Sequence, residues 1–131
     1  KWISKRGNLF LSIFFDMSKM EIDFKKFAVL NAYFLKSILA KKFSNKIKIK
    51  WPNDLLFQKK KICGILQETV RKNNIQYLII GIGINLVKNP IIKGYPTTNL
   101  YDLTKNKISI NKVANELGDI FFNFLKSKKV F

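Results

Sequence analysis

The chain alternates short apolar runs with polar punctuation, and two periods can be read along it. From Asn8 to Asp16 the run Asn-Leu-Phe-Leu-Ser-Ile-Phe-Phe-Asp is short, aromatic and led by Gly7, which predicts a largely buried strand. From Asp23 to Phe43 the apolar residues Phe27, Leu30, Phe34, Leu35, Ile38 and Leu39 recur at three- and four-residue steps. That spacing predicts a helix with one apolar face. Lys25, Lys26, Lys36, Lys41 and Lys42 mostly fill its other side, the last two suit a helix C-terminus, and Asp23 suits an N-cap. Lys46 to Trp51 alternates as a strand, with Ile47 and Ile49 on one side and Lys46, Lys48 and Lys50 on the other.

Pro52 and Asn53 interrupt that strand. Leu55–Phe57 and Lys61–Val70 then read as a hairpin around the polar turn Gln58–Lys60, and Arg71–Asn74 as a second turn. Gln76–Asn85 is a further strand with Gly81 and Gly83 near its end. Val87–Thr98 holds Pro90, Gly94 and Pro96 and reads as an irregular surface loop. A last helix runs from Ile110 to Lys126, striped by Val113, Leu117, Ile120, Phe121, Phe124 and Leu125 and capped by Ser109. About five strands and two helices result. Because the middle strands come as consecutive hairpins, the expected fold class is α+β: a mixed, mostly antiparallel sheet with helices packed on one face.

Composition narrows the chemistry. At 131 residues the chain is close to one domain of ~150, long enough to bury about two-thirds of its unfolded surface. A hydrophobic fraction of 47% with 12 Phe excludes disorder as a description of the whole. No apolar run approaches the ~18–20 residues of a membrane span; the longest, Leu78 to Leu86, contains two glycines. One Cys, Cys63, allows no internal disulfide, and with no His a soft-metal site and the Ser-His-Asp and Cys-His triads are out of reach of these residues. Chemistry is left to Lys, Asp, Glu, backbone amides or a bound ion.

The net charge of +17 invites a nucleic-acid reading. Against it, the cations are 23 Lys and only 2 Arg, and Lys travels with 18 Ile, 13 Asn and 12 Phe. Those residues share A/T-rich codons, so the bias reads as genomic. Readers of base edges favour Arg for its bidentate fork. A lysine-rich solvated surface is the favoured interpretation.

Three segments set polar or Gly residues among apolar strands. Lys50-Trp51-Pro52-Asn53-Asp54 couples a lysine, a turn and a carboxylate. Lys61-Ile62-Cys63-Gly64-Ile65-Leu66-Gln67-Glu68 begins a strand with a lysine and soon contains a Gly, which often marks close approach of a ligand or backbone. Cys63 reads as a small buried hydrophobe. Ile80-Gly81-Ile82-Gly83-Ile84-Asn85 is no dinucleotide fingerprint, since Leu86 takes the sixth position, but its glycines let a ligand lie on the strand and Asn85 offers a donor and an acceptor. Taken singly, each is weak, and on spacing alone Lys50 to Asp54 reads first as a plain strand-turn-strand.

Taken together and in order, they resemble the catalytic domain of biotin–protein ligases, whose fold is class II aminoacyl-tRNA synthetase-like. The resemblance rests on Lys1-Trp2, Gly7-Asn8-Leu9-Phe10 with Ser12, the segment Lys50 to Asp54, Lys60 to Leu66 with Glu68, and Ile80 to Leu86. It is strong from Lys1 to about Asn85 and weaker through the last helix. It implies ATP-dependent ligation of biotin to one lysine of a carboxylase's biotin-carrier domain, through biotinoyl-AMP and with Mg²⁺. It further implies that Lys61 is the central catalytic lysine, bridging the biotin carboxylate and the α-phosphate, with Asp54 orienting the metal, the acceptor amine or both. Trp2, Lys50, Asn53 and Asn85 would serve the nucleotide. Gly64, Leu66, Gly81 and Gly83, with Lys61, would hold biotin. No protein metal site is implied.

By the same resemblance, the family's Gly-Arg-rich adenylate loop and an earlier biotin-contacting strand should precede Lys1, and a small β-barrel should follow the domain. The chain from 1 to 131 is therefore read as a single partial catalytic domain. Lys1-Trp2 does not resemble a signal peptide, and the family points to the cytoplasm. It also admits a homodimer, and the helix-turn-helix that some members carry is not read within these residues, so a repressor role has no support. Two other readings stay open: a lipoate or octanoate ligase or transferase of the same fold, and a basic nucleic-acid-binding domain, for which only net charge speaks.

Overall fold

The computed structural model describes residues 5–18, 20, 22–43 and 46–128, with side chains as far as 126. Among these, eight elements follow one another: β1 (Leu9–Asp16), α1 (Phe24–Lys42), β2 (Lys48–Lys50), β3 (Asp54–Phe57), β4 (Lys60–Lys72), β5 (Ile75–Ile84), α2 (Leu100–Thr104) and α3 (Ile110–Lys128). The strands form one sheet in the order β1-β5-β4-β3-β2, and every ladder is antiparallel. The parallel component that a mixed sheet would require shrinks, among the described residues, to the isolated bridge between Lys61 and Thr97.

Two tight turns set the middle of the sheet. Gln58 and Lys59 (φ 50° and 66°) join β3 to β4, and Asn73 and Asn74 (φ 52° and 64°) join β4 to β5. Both pairs are left-handed, the twist that matches flanking antiparallel strands, and Asn tolerates it well. Both strands of the second hairpin therefore run closer to the turn than the sequence pattern suggests. β2, by contrast, is confined to Lys48–Lys50.

The period of two sorts the sheet into faces. Leu9, Leu11 and Ile13 on β1 lie opposite Ile84, Ile82 and Ile80 on β5, and Cys63 and Ile65 on β4 flank the same β5 positions. This face is covered by α1, which lies over β2, β3 and β4, and by α3, which lies over β1 beside α1. Phe27, Leu35, Leu39, Val113, Leu117 and Phe121 seal it, each at most 1% exposed. Aromatic edges lock the layers, with Phe27 tilted on Phe15 at 5.2 Å and Phe34 edge-on to Phe121 at 5.3 Å. Asp23 caps α1 by accepting from the Lys26 amide at 2.9 Å, and the Ser109 hydroxyl accepts from the Lys112 amide at the start of α3. The short α2, capped by Asn99, was not evident from periodicity, because five residues give too few repeats. No described helix is long and apolar enough to cross a membrane.

Candidate active site

The uncovered face of the sheet carries the chemistry. One lateral row crosses all five strands through paired positions: Lys50, Asp54, Gly64, Gly83 and Phe10. The neighbouring row runs Leu66, Gly81 and Ser12. Glycines at the middle of both rows leave a depression, and Phe10 and Leu66 stand beside it, 40% and 64% exposed. The result is a cleft of about 400 Å³, lined by these residues, Lys50 excepted, together with Asn53 and Lys61. That volume lies within the ~300–1,000 Å³ range of small-molecule sites.

A β-bulge brings Lys61 into the cleft. Leu55 lies opposite Cys63, but Leu56 lies opposite Lys61, so Ile62 is an extra residue on β4. Simple alternation from Gly64 would send Lys61 toward the helices. The inserted residue turns it to the open face instead. There its Nζ stands 3.1 Å from Asp54 Oδ1, with both side chains largely buried. Tyr95 donates its hydroxyl hydrogen to the other carboxylate oxygen, Asp54 Oδ2. This bond, followed by burial and the nearby carboxylate charge, pushes the Tyr95 phenol up to about 12. The ring of Tyr95 also faces two ammonium groups, Lys50 Nζ at 4.8 Å and Lys61 Nζ at 5.4 Å from its centroid.

Of the residues singled out from sequence, Asn53, Asp54, Lys61, Gly64, Leu66, Gly81 and Gly83 line the cleft together. Lys50 reaches its edge, with Nζ 3.5 Å from the Tyr95 hydroxyl. Trp2 lies outside the described residues. Asn85 stands apart from the cleft lining and is 1% exposed. Its Nδ2 donates to the Thr98 carbonyl at 3.1 Å and its Oδ1 accepts from Asn8 Nδ2 at 3.4 Å. Its side chain thus braces the loop after β5. Cys63 is fully buried, and burial pushes its thiol up, so it packs as the small apolar residue expected.

Sequence reasoning missed Tyr95, which sits in the segment read as a surface loop. Nothing local marks it; its position depends on distant partners.

Among the described residues no group of three or more His, Cys, Asp or Glu could hold a metal ion. Asp54 is, among the described residues, the only carboxylate lining the cleft. A site with one carboxylate beside two lysines suits an anionic substrate better than a bare cation. A divalent ion would fit there as the companion of phosphate groups, with most of its ligands from phosphate and water.

The fold, an antiparallel sheet covered on one side by helices, is that of the biotin and lipoate ligase class. The chain belongs to the biotin/lipoate A/B protein ligase family, whose model matches residues 1–85. It is 29% identical over 129 residues to the bifunctional ligase/repressor BirA of Escherichia coli, covering 97% of this chain and 40% of that protein. Over 69 residues it is 32% identical to a biotin–[acetyl-CoA-carboxylase] ligase of Mycobacterium tuberculosis, covering 53% of this chain and 24% of that one. The biotin protein ligase of Aquifex aeolicus, solved with biotin and ATP, superposes with a TM-score of 0.80 at 30% identity, over 98% of this chain and 55% of that one. The chain therefore spans roughly half or less of the length of these relatives.

Proposed function

We propose that this chain is catalytic machinery of a ligase that joins biotin to a lysine of a carboxylase's biotin-carrier domain, in two steps. In the first, a biotin carboxylate oxygen attacks the α-phosphorus of ATP, and the bond to the leaving pyrophosphate breaks, giving biotinoyl-AMP. In the second, the carrier's lysine amine attacks the acyl carbon, loses a proton, and AMP departs. The observation that carries this reading is the Lys61 ammonium, held 3.1 Å from Asp54 beside a glycine floor.

Both reactants of the first step are anions. A cation fixed between them lowers their repulsion and favours the charge that gathers at phosphorus, more in the transition state than before it. Lys61 is the group for that work. Asp54 keeps its ammonium aimed and would be the carboxylate beside which a Mg²⁺ arriving with the triphosphate is held, that ion's ligands coming mainly from phosphate and water. Lys50 and Asn53 serve the nucleotide side, and Asn85 serves it through the loop that it braces. Trp2 remains a candidate for the adenylate. Gly64, Gly81 and Gly83, with Leu66, take the biotin body against strand backbone, while the cleft supplies proximity. The relatives' names and the ligands of the Aquifex structure support biotin and ATP as substrates. A homodimer and the carrier domain remain the partners proposed.

The test is a ligation assay on the complete gene product with biotin, Mg-ATP and a biotin-carrier domain, reading the carrier's mass. A gain of one biotin that disappears with Lys61→Ala is the expected result. A gain with lipoate or octanoate but not biotin would overturn the substrate assignment, and no gain with any acyl donor would overturn the activity.

A further inference from the structure

The loop after β5 is stitched to the backbone of the one lysine at the centre of the cleft. The Lys61 amide donates to the Pro96 carbonyl at 2.9 Å, and the Thr98 amide donates to the Lys61 carbonyl at 3.0 Å. Both backbone groups of Lys61 are thereby tied to this loop. The loop is also tied to itself. Asn89 Nδ2 donates to Thr97 Oγ1 at 2.8 Å, Thr97 Oγ1 donates to the Pro90 carbonyl at 2.6 Å, and Asn99 Nδ2 donates to Asn89 Oδ1 at 2.7 Å. Its tip turns through Gly94, whose φ of +75° suits glycine, and the Tyr95 amide closes that turn on the Ile92 carbonyl at 3.1 Å. A segment without regular structure is thus held on a short leash, and it carries Tyr95.

We infer that Tyr95 is a positioning residue for the ligation chemistry: its hydroxyl fixes the Asp54 carboxylate, and its ring lies against the ammonium groups of Lys50 and Lys61. The inference rests on the ligase reading and deepens it. Asp54 has two oxygens with different duties. Oδ1 meets Lys61 and Oδ2 accepts from Tyr95. Without the phenol, the carboxylate can swing about its side-chain torsions, and Lys61 loses its fixed anchor. The ring adds a second restraint, since both ammonium groups lie over it, 4.8 and 5.4 Å from its centroid. A neutral phenol is the right donor here.

The experiment uses the complete gene product and biotin-dependent exchange of pyrophosphate into ATP, which reads the first step alone. Tyr95→Phe is expected to lower kcat about tenfold, the effect of one charge-assisted hydrogen bond, with KM for biotin within about twofold. The double variant Tyr95→Phe with Asp54→Asn should be no slower than Asp54→Asn alone, because the two residues act through one bond. A merely structural tyrosine would slow both backgrounds equally. Parental kcat in Tyr95→Phe, a change in KM alone, or multiplicative losses in the double variant would each overturn the inference. Exchange absent from the parent protein would overturn the ligase reading first, and this inference with it.

Discussion

Gly81 separates the needs of the sheet from those of the cleft. A Cβ built there would meet only the Leu66 Cβ and carbonyl oxygen, each at 3.8 Å, an ordinary contact. The strand does not require glycine at that point, but the cleft does, since a larger side chain would rise from its floor. Gly81→Val should therefore leave the melting temperature unchanged or raise it, because valine favours strands, while KM for biotin climbs at least about tenfold. Melting and steady-state kinetics on one preparation check both halves, and unchanged KM would remove Gly81 from the biotin floor. Lys61→Ala should show a heavier kinetic than structural loss. Removing one partner of a largely buried ion pair should lower the melting temperature, while loss of the cation proposed for the transition state should cost about 10²–10³ in kcat. At this scale much was legible. Lys50, Asn53, Asp54, Lys61 and the glycines announced themselves as polar or small residues inside apolar strands. Tyr95 did not, because a tyrosine between Gly94 and Pro96 looks like any loop residue until the hydrogen bonds to Lys61 bring it to Asp54. Asn85 was conspicuous for its amide, and only the fold shows that Asn8 and Thr98 already occupy it.

The elements themselves follow from periods, and the exceptions follow from contacts that periods cannot express. Short apolar runs bounded by turn residues find β1 and β5, alternation finds β2, and three- and four-residue spacing finds α1 and α3. The bulge at Ile62 is hidden because Ile62, Cys63 and Ile65 all read as apolar, so nothing says where the count slips. Yet that slip decides which face receives Lys61. The loop after β5 is likewise shaped from afar. Asn8, at the mouth of β1, accepts from the Val87 and Lys88 amides at 2.9 and 3.1 Å and donates to the Lys88 carbonyl at 2.7 Å. It is 5% exposed, so water cannot readily replace it. Asn8→Ala should leave these backbone groups unpaired and destabilise the fold by about 2–3 kcal/mol. Urea denaturation should show a lower midpoint at unchanged slope. The loop should loosen with it, so residual activity should fall through kcat. An unchanged midpoint would mean that the loop is held by its own Asn89, Thr97 and Asn99 bonds alone.

For the molecule as a whole, the open question is what the +17 charge does. Nucleic-acid binding needs lysines gathered along one groove, so that several phosphates are neutralised together. Here they are divided between opposite sides. Lys48, Lys50 and Lys61 belong to the open face of the sheet, whereas Lys25, Lys26, Lys36, Lys41 and Lys42 belong to α1, which covers the other. Lys42 is engaged with Glu116 of α3 at 2.8 Å. The cleft concentrates charge on a much smaller scale, two lysines about one aspartate, which suits a ligand of one or a few negative charges. Biotinoyl-AMP carries a single phosphate charge. Its dissociation constant should therefore change with salt by a logarithmic slope of magnitude about 1 or less, whereas displacement of seven phosphate counterions would give a slope of about −6. Calorimetric titration of the complete gene product with biotinoyl-AMP, and of the same protein with a random-sequence duplex, across ~50 to 200 mM salt would separate the two. A tight adenylate with a shallow slope, beside weak and steep duplex binding, makes the lysines a solvated surface. A duplex bound more tightly than the adenylate at the higher salt would make nucleic acid the ligand that the charge serves.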